Sequence, residues 1–214
     1  MTINSPALSK LLEISAQTGK ERAVLSEGII KNLGSLTDEF EKILDSKNGF
    51  IAFENALQFF HSGSNEQYID INTWNEKSLW INEYSKISEK YAFFAQDTFG
   101  IQFIVFENKF YKFDPETENI EFIANSFEDW AKIILDDYNY MTGHSIAHEW
   151  QLVNGVIKEN SRLLPIIPFT CDGQFDIKNL FESEMVKGMQ LRAIFSNQIK
   201  ELADGTAIEF TFAS

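Results

Sequence analysis

Hydrophobic and polar positions show a strand pattern most clearly between residues 91 and 124. Four short runs rich in aromatic and β-branched residues, YAFFAQ, IQFIVF, KFYKFD and NIEFIA, predict four β-strands. Glu107-Asn108 separates the second run from the third, and Asp114-Pro115-Glu116-Thr117 has the composition of a turn. Connections this short cannot join parallel strands, so the pattern predicts an antiparallel meander.

Helical spacing of apolar residues predicts helices around this meander. Thr37 is a suitable N-cap for a helix in which Phe40, Ile43 and Leu44 form one buried stripe, and Asn48-Gly49 would end it. The other predicted helices are an aromatic one at 74–87, one that begins at Ser126 and ends at Gly143, and the stretches at about 144–153 and 184–201.

The remaining segments are less regular. Residues 49–63 suggest a short extended piece followed by a helical turn around 55–60, and 163–171 suggest extended chain. After an Asp204-Gly205 turn, residues 206–212 predict a closing strand.

The chain has no internal repeat and no Gly/Ser-rich linker, so one compact domain over residues 1–214 is the simplest interpretation. Its core would be 37–153, with an N-terminal helical segment at 1–36 and a C-terminal extension at 154–214. The predicted fold class is α+β, with an antiparallel or mixed sheet flanked by helices.

Charge is the first property that bears on function. The net charge is −14 and the 18 basic residues form no run, which argues against direct binding of nucleic acid. Residues 97–149 carry eleven acidic and three basic residues, a net charge of −8. Such a field would steer a basic partner toward this segment, although a solubilising surface has the same composition.

The sequence favours a soluble protein of the cytoplasm. No window approaches the roughly 18 consecutive apolar residues of a membrane span, and the N-terminus lacks the pattern of a secretory signal. The single cysteine, Cys171, excludes an internal disulfide framework and suits a reducing compartment.

Catalytic motifs are missing from the sequence: it has no nucleophile elbow, Gly-rich phosphate loop or paired-cysteine motif. We therefore expect a binding protein rather than an enzyme, without cofactor or catalytic residues.

Two histidines four residues apart, His144 and His148, leave a metal-dependent hydrolase as an alternative from a different class. Asp136, Asp137 or Glu149 could supply a third ligand. Glu149 follows His148 rather than His144, so the H-E-x-x-H metalloprotease motif is absent, and the histidines are expected to form a solvated face or a packing pair without metal.

Residues 37–153 resemble the SUKH superfamily of bacterial toxin-immunity proteins and fungal regulators of cell-wall synthesis. The resemblance lies in the acidic helix TDEFEKIL leading to NGFIAFENALQFF, the Asp-x-Phe-Gly turn at 97–100, the turn at 114–117 and the "IA-x-SF-x-x-W" pattern at 123–130. It implies an α+β fold and, in bacteria, neutralisation of a toxin, often a nuclease or deaminase, by direct binding.

The leading hypothesis is therefore an immunity-type protein with an acidic face that docks a basic toxin domain. The alternative within the same superfamily is a regulatory or scaffold protein without a toxin partner. Aromatic and acidic residues expected to be exposed near the meander are the candidates for partner binding: Trp74, Trp80, Asp97, Phe99, Tyr111, Asp114, Glu116 and Glu118.

Overall fold

The structure, a computed structural model, describes residues 5–203, 205, 206 and 208 and has the α+β architecture that the sequence predicts. Within these residues, seven strands form one antiparallel sheet in which each strand pairs with its neighbours in sequence. The strands are β1 (Ala16–Gln17), β2 (Phe50–Ala52), β3 (Leu57–Phe59), β4 (Ala92–Asp97), β5 (Gln102–Phe106), β6 (Lys109–Asp114) and β7 (Asn119–Ala124). A separate hairpin consists of β8 (Ser161–Pro165) and β9 (Leu180–Glu184).

Helices flank the sheet. Those that the structure describes are α1 (Pro6–Ile14), α2 (Glu27–Leu33), α3 (Thr37–Ser46), α4 (Ile71–Trp74), α5 (Phe127–Asp136), α6 (Tyr138–Thr142), α7 (His144–Asn154) and α8 (Met185–Ile199). Ser126 caps α5 as predicted, since its hydroxyl accepts a hydrogen bond from the Asp129 N–H. The helix predicted to run on to Gly143 instead breaks at Asp137, because the Asp137 carboxylate caps α6.

The meander prediction is confirmed. Glu107 and Asn108 form the two-residue connection between β5 and β6, and both adopt left-handed backbone angles (φ 49° and 59°), as a tight hairpin requires. In the next turn the Asp114 carboxylate accepts hydrogen bonds from the Glu116 N–H and the Thr117 hydroxyl.

Thr37 is not the N-cap of α3, contrary to the sequence prediction. A 3₁₀ turn at Gly34–Leu36 runs directly into the helix, so Leu36 occupies the capping position. The Thr37 hydroxyl instead donates back to the carbonyls of Ile30 and Gly34, at 3.2 and 2.9 Å.

The helical turn predicted around residues 55–60 is wrong, because residues 50–59 form the β2–β3 hairpin. Strand β3 has only three residues, Leu57–Phe59, so it is too short for its alternation to be told from a helical period. Phe53, Glu54 and Asn55 all have positive φ and reverse the chain.

A continuous helix over 74–87 is also wrong. Helix α4 ends at Trp74, and a 3₁₀ turn follows at Ile81–Glu83. Asn75 explains the break, since its side-chain amide accepts from the Phe93 N–H and donates to the Phe93 carbonyl, both at 2.9 Å, and so ties the chain to β4.

One face of the sheet carries the aromatic core. Phe59 of β3 stacks on Phe40 of α3, with ring centroids 5.4 Å apart, and contacts Trp130 of α5 at 6.0 Å. Phe94 of β4 packs edge-on against Trp130 at 5.2 Å. These side chains are fully buried, and each contributes on the order of 2–3 kcal/mol by leaving water.

The opposite face carries a row of buried glutamines. Gln58, Gln96 and Gln102 are opposed in the strand register, so they share this face. Their amides form a chain in which Gln102 donates to Gln96 at 3.1 Å and Gln96 donates to Gln58 at 3.0 Å. Buried Arg162 of β8 also donates to Gln58, which secures the β8–β9 hairpin against the sheet.

The C-terminal part matches the predictions for α7 and α8. Extended chain was predicted at 163–171. The prediction is confirmed up to Pro165, where β8 ends, but residues 169–171 form a 3₁₀ turn. Helix α7 packs on this hairpin through a second apolar cluster that includes Trp150 and Leu163. The closing strand predicted at 206–212 lies largely outside the described residues.

Candidate functional site

A cleft of about 580 Å³ opens where the β4–β5 turn meets α8 and the β8–β9 hairpin. Its walls come from segments distant in sequence, including Asp97 and Phe99 of the turn, Phe169, and Arg192 of α8. Clefts of this size with apolar walls and a few polar groups are the usual form of a binding site.

The turn at residues 97–100 shapes the floor of the cleft. The Asp97 carboxylate oxygen Oδ1 accepts hydrogen bonds from the N–H groups of Phe99 at 2.8 Å and Ile101 at 2.9 Å. Gly100 has a φ of +72°, and a Cβ at this position would lie 2.7 Å from Nη2 of Arg192. The Asp-x-x-Gly pattern is therefore required by the local backbone and by the close approach of α8.

Arg192 joins the turn to α8. Its guanidinium is buried and donates to the carbonyl of Phe99 through Nη1 and to the carbonyl of Gly188 through Nε, the latter at 3.3 Å. A buried arginine is tolerated because backbone carbonyls take up its N–H groups.

Asp97 is the most strongly perturbed acid of the cleft. Burial raises its pKa to about 7, against the opposing effect of the two backbone N–H donors and of the positive charges of Arg192 and Arg162. The carboxyl therefore changes charge near neutral pH while it holds the turn.

A second pair of acids lines one side of the cleft. Asp114 organises the β6–β7 turn, as described above, and the Glu116 carboxylate lies 3.4 Å from both the N–H and the hydroxyl of Thr170. Burial raises the pKa of Glu116, with the charge of Arg192 acting in the opposite direction.

The apolar wall is aromatic. Phe99, Phe169 and Phe175 contact one another with centroid distances of 5.6 to 5.7 Å. Phe175 is 65% exposed, and Tyr140, on the other side, is 75% exposed with Lys112 Nζ 5.5 Å above its ring. Exposed aromatic rings beside buried ones are typical of contact surfaces.

Four of the eight residues predicted for partner binding meet in this cleft: Asp97, Phe99, Asp114 and Glu116. They are not exposed as expected, since Asp97, Phe99 and Glu116 are buried and Asp114 is half-buried. Two of the others, Trp74 and Trp80, are not exposed as expected but fully buried. The reason is that both indole N–H groups find partners inside, the Gln102 amide at 2.8 Å and the Trp74 carbonyl at 3.0 Å.

The last two predicted residues lie elsewhere. Glu118 is buried, contrary to the expectation, because its carboxylate accepts from the N–H groups of Ser85 and Lys86 at 2.8 and 2.7 Å. Tyr111 is half-buried on β6, where its ring packs edge-on against Phe122 at 5.8 Å.

Burial reduces the number of acids that segment 97–149 presents at the surface. Of the eleven acids in 97–149, all within the described range, Asp97, Glu116 and Glu118 are buried and Asp114 and Glu128 are half-buried. Six acids are exposed against two exposed lysines, Lys109 and Lys132. The exposed acids are Glu107, Glu121, Asp129, Asp136, Asp137 and Glu149.

Sequence reasoning missed several residues of the cleft, chief among them Arg192, Phe169 and Phe175. The position of Arg192 on the inner face of α8 could have been predicted, because its helical spacing places it beside Met189 and Ala193, which are buried. For the two phenylalanines we find no such signal, since their positions depend on how the hairpin docks.

The structure brings His144 and His148 together on α7 with Glu54 from the β2–β3 turn, and their ligand atoms all lie within 4.8 Å of one another. Glu54, separated from the histidines by about 90 residues, carried no sequence signal. The acids that the sequence offered as third ligands lie outside this group: Asp136, Asp137 and Glu149.

No protein-family model matches the chain, and no curated protein matches it either. None of the helices that the structure describes has the length and apolar character needed to cross a bilayer. Among solved structures, the chain is similar to the crystal structure of Atu4351 from Agrobacterium tumefaciens, with a TM-score of 0.53 and 10% identity over 85% of this chain and 86% of that chain. At this identity the likeness shows the fold alone.

Proposed function

We propose that the protein is a non-enzymatic binding protein that holds a segment of a partner protein in the cleft between the β4–β5 turn and α8. The observation that carries the proposal is the aromatic wall of Phe99, Phe169 and Phe175 beside the acids Asp114 and Glu116. Aromatic anchors surrounded by charged groups are where interface energy concentrates.

The way the charged groups are used favours binding over catalysis. Asp97 and Arg192 bond to the backbone of the turn, and Asp114 bonds to the turn that follows β6. Groups engaged in this way fix the shape of the cleft, as a binding site with a preformed surface requires.

Charge favours a basic partner. The exposed side chains of 97–149 comprise six acids and two lysines, and the excess of negative charge would accelerate the approach of a positively charged surface. Lys112, at the edge of the cleft, is paired with Glu121 at 3.3 Å, so its charge is partly offset.

The resemblance of 37–153 to the SUKH superfamily makes the partner, by implication, a toxin domain such as a nuclease or deaminase, neutralised in the cytoplasm. Co-expression with a toxin encoded beside its gene tests this role. Rescue of growth together with a complex that weakens as salt rises is expected. A gene without a toxin neighbour, with partners from metabolism or the cell envelope, would support the regulatory alternative instead.

The place of binding has its own test. Phe175→Glu puts a charge on the aromatic wall, and Val24→Glu is a matched control because Val24 is 85% exposed and lies outside the cleft. We expect Phe175→Glu to weaken the complex by on the order of 2 kcal/mol or more, as for an interface hot spot, and Val24→Glu to bind like the unmodified protein. Equal binding by both variants would contradict the cleft as the docking site.

A further inference from the structure

Two imidazoles and a carboxylate converge where α7 begins against the β2–β3 turn. His148 Nδ1 lies 2.6 Å from Glu54 Oε2, and His144 Nε2 lies 3.7 Å from the same oxygen. We propose that Glu54, His144 and His148 form a binding site for a divalent first-row transition-metal ion such as Zn²⁺. This site is separate from the proposed partner-binding function and does not depend on it.

The helix places the two histidines on one face. Residues four apart are neighbours on a helix surface, and the rings of His144 and His148 stack with centroids 5.9 Å apart. Zinc takes imidazole nitrogen and carboxylate oxygen at about 2.0–2.2 Å, so tetrahedral ligand atoms lie roughly 3.4 Å apart. The three ligand atoms lie within 4.8 Å of one another, and the two distances to Glu54 Oε2, 2.6 and 3.7 Å, fall on either side of that spacing.

Neighbouring groups hold His144 in the orientation that a ligand needs. Its ring sits edge-on between Phe53 and Tyr138, at 6.4 and 5.2 Å, and its Nδ1 lies 3.3 Å from the Asn139 side-chain oxygen. A proton on Nδ1 that is donated to this oxygen leaves the Nε2 lone pair free for a metal. Such a second hydrogen bond is the usual support of a metal-binding histidine.

Glu54 is held against α7 by its own turn. Its backbone has a φ of +54°, an uncommon conformation for a residue other than glycine. Gln151 of α7 donates from its side-chain amide to the Glu54 carbonyl at 3.2 Å, which fixes the turn to the helix.

The site is open enough for an ion to enter. The side chains of Glu54, His144 and His148 are 53%, 21% and 45% exposed. Three protein ligands leave at least one coordination position for water or another donor. The third histidine of the chain, His61, is fully buried, so it does not compete for the ion.

Zinc titration by calorimetry at pH 7.5 tests the proposal. All proteins should carry Cys171→Ser, because the half-buried thiol is itself a potential zinc ligand. The variants are Glu54→Gln and His148→Ala, and the matched control is Glu149→Gln, which removes an exposed acid from the same helix. Circular dichroism verifies that each variant is folded.

We expect one zinc ion per chain, at least about tenfold weaker binding by Glu54→Gln and His148→Ala, and binding by Glu149→Gln within about twofold of the parent. A second readout is a rise in melting temperature with Zn²⁺ that EDTA reverses. Absence of stoichiometric binding, or equal affinity in all variants, would overturn the proposal, while the partner-binding tests would be unaffected.

Discussion

Replacing Asp97 by asparagine should stabilise the protein, and by an amount that grows with pH. The asparagine side-chain oxygen can accept the same two N–H groups, from Phe99 and Ile101, but it carries no charge. Since the substitution keeps the hydrogen bonds of the turn and removes a buried ionisable group, it separates the two roles of this carboxyl.

The magnitude follows from the pKa of Asp97, about 7 in the folded protein against 3.8 as the ordinary value. Because burial raises the folded pKa, the native state holds more protons than the unfolded state between these values, and stability falls as pH rises from about 4 to 7. The full difference between these two pKa values corresponds to roughly 4 kcal/mol of folding stability. Between pH 5 and pH 8 the advantage of Asp97→Asn should grow by roughly 2.5 kcal/mol.

Urea unfolding of both proteins at pH 5, 6, 7 and 8 measures this difference. Burial lowers the pKa of His61, which by itself makes the protein less stable in acid, but this contribution is common to both proteins and cancels. The control is Asp129→Asn, at an exposed position. The difference in unfolding free energy between this variant and the parent should change by less than about 0.5 kcal/mol from pH 5 to pH 8. A difference that is constant or shrinks with pH would refute the view that burial dominates at Asp97.

Three further outcomes follow from the fold. Glu128→Ala should cost about 1 kcal/mol in urea unfolding, because its carboxylate accepts the Ala7 N–H at 2.9 Å and so caps α1, which lacks a cap of its own. Gly143→Ala should cost more than about 1 kcal/mol and alter the near-UV spectrum, because the position has a φ of +70° and the new Cβ would lie 2.5 Å from Phe99. Phe59→Ala should cost about 3–5 kcal/mol, and a loss under about 1 kcal/mol would contradict its central place in the core.

The meander was predictable because its signals are local. The runs rich in aromatic and β-branched residues, the Glu107-Asn108 connection and the cap at Ser126 each act within a few residues. The hairpin at 50–59 was not predictable in this way, because its two strands have only three residues each, too few for a period of two to be told from a helical period.

For the site, the sequence by itself determined the turn at 97–100 and the turn that Asp114 organises, since the hydrogen bonds of Asp97 and Asp114 are made within a few residues. Only the tertiary structure decided which side chains surround them. Arg192 and Phe175 reach the cleft, and Glu54 reaches His148, through contacts between segments about 80 to 95 residues apart. Burial was also decided by the tertiary structure. Glu118 and Trp74 were candidates for a partner-binding surface, but both are buried because groups distant in sequence satisfy their hydrogen bonds.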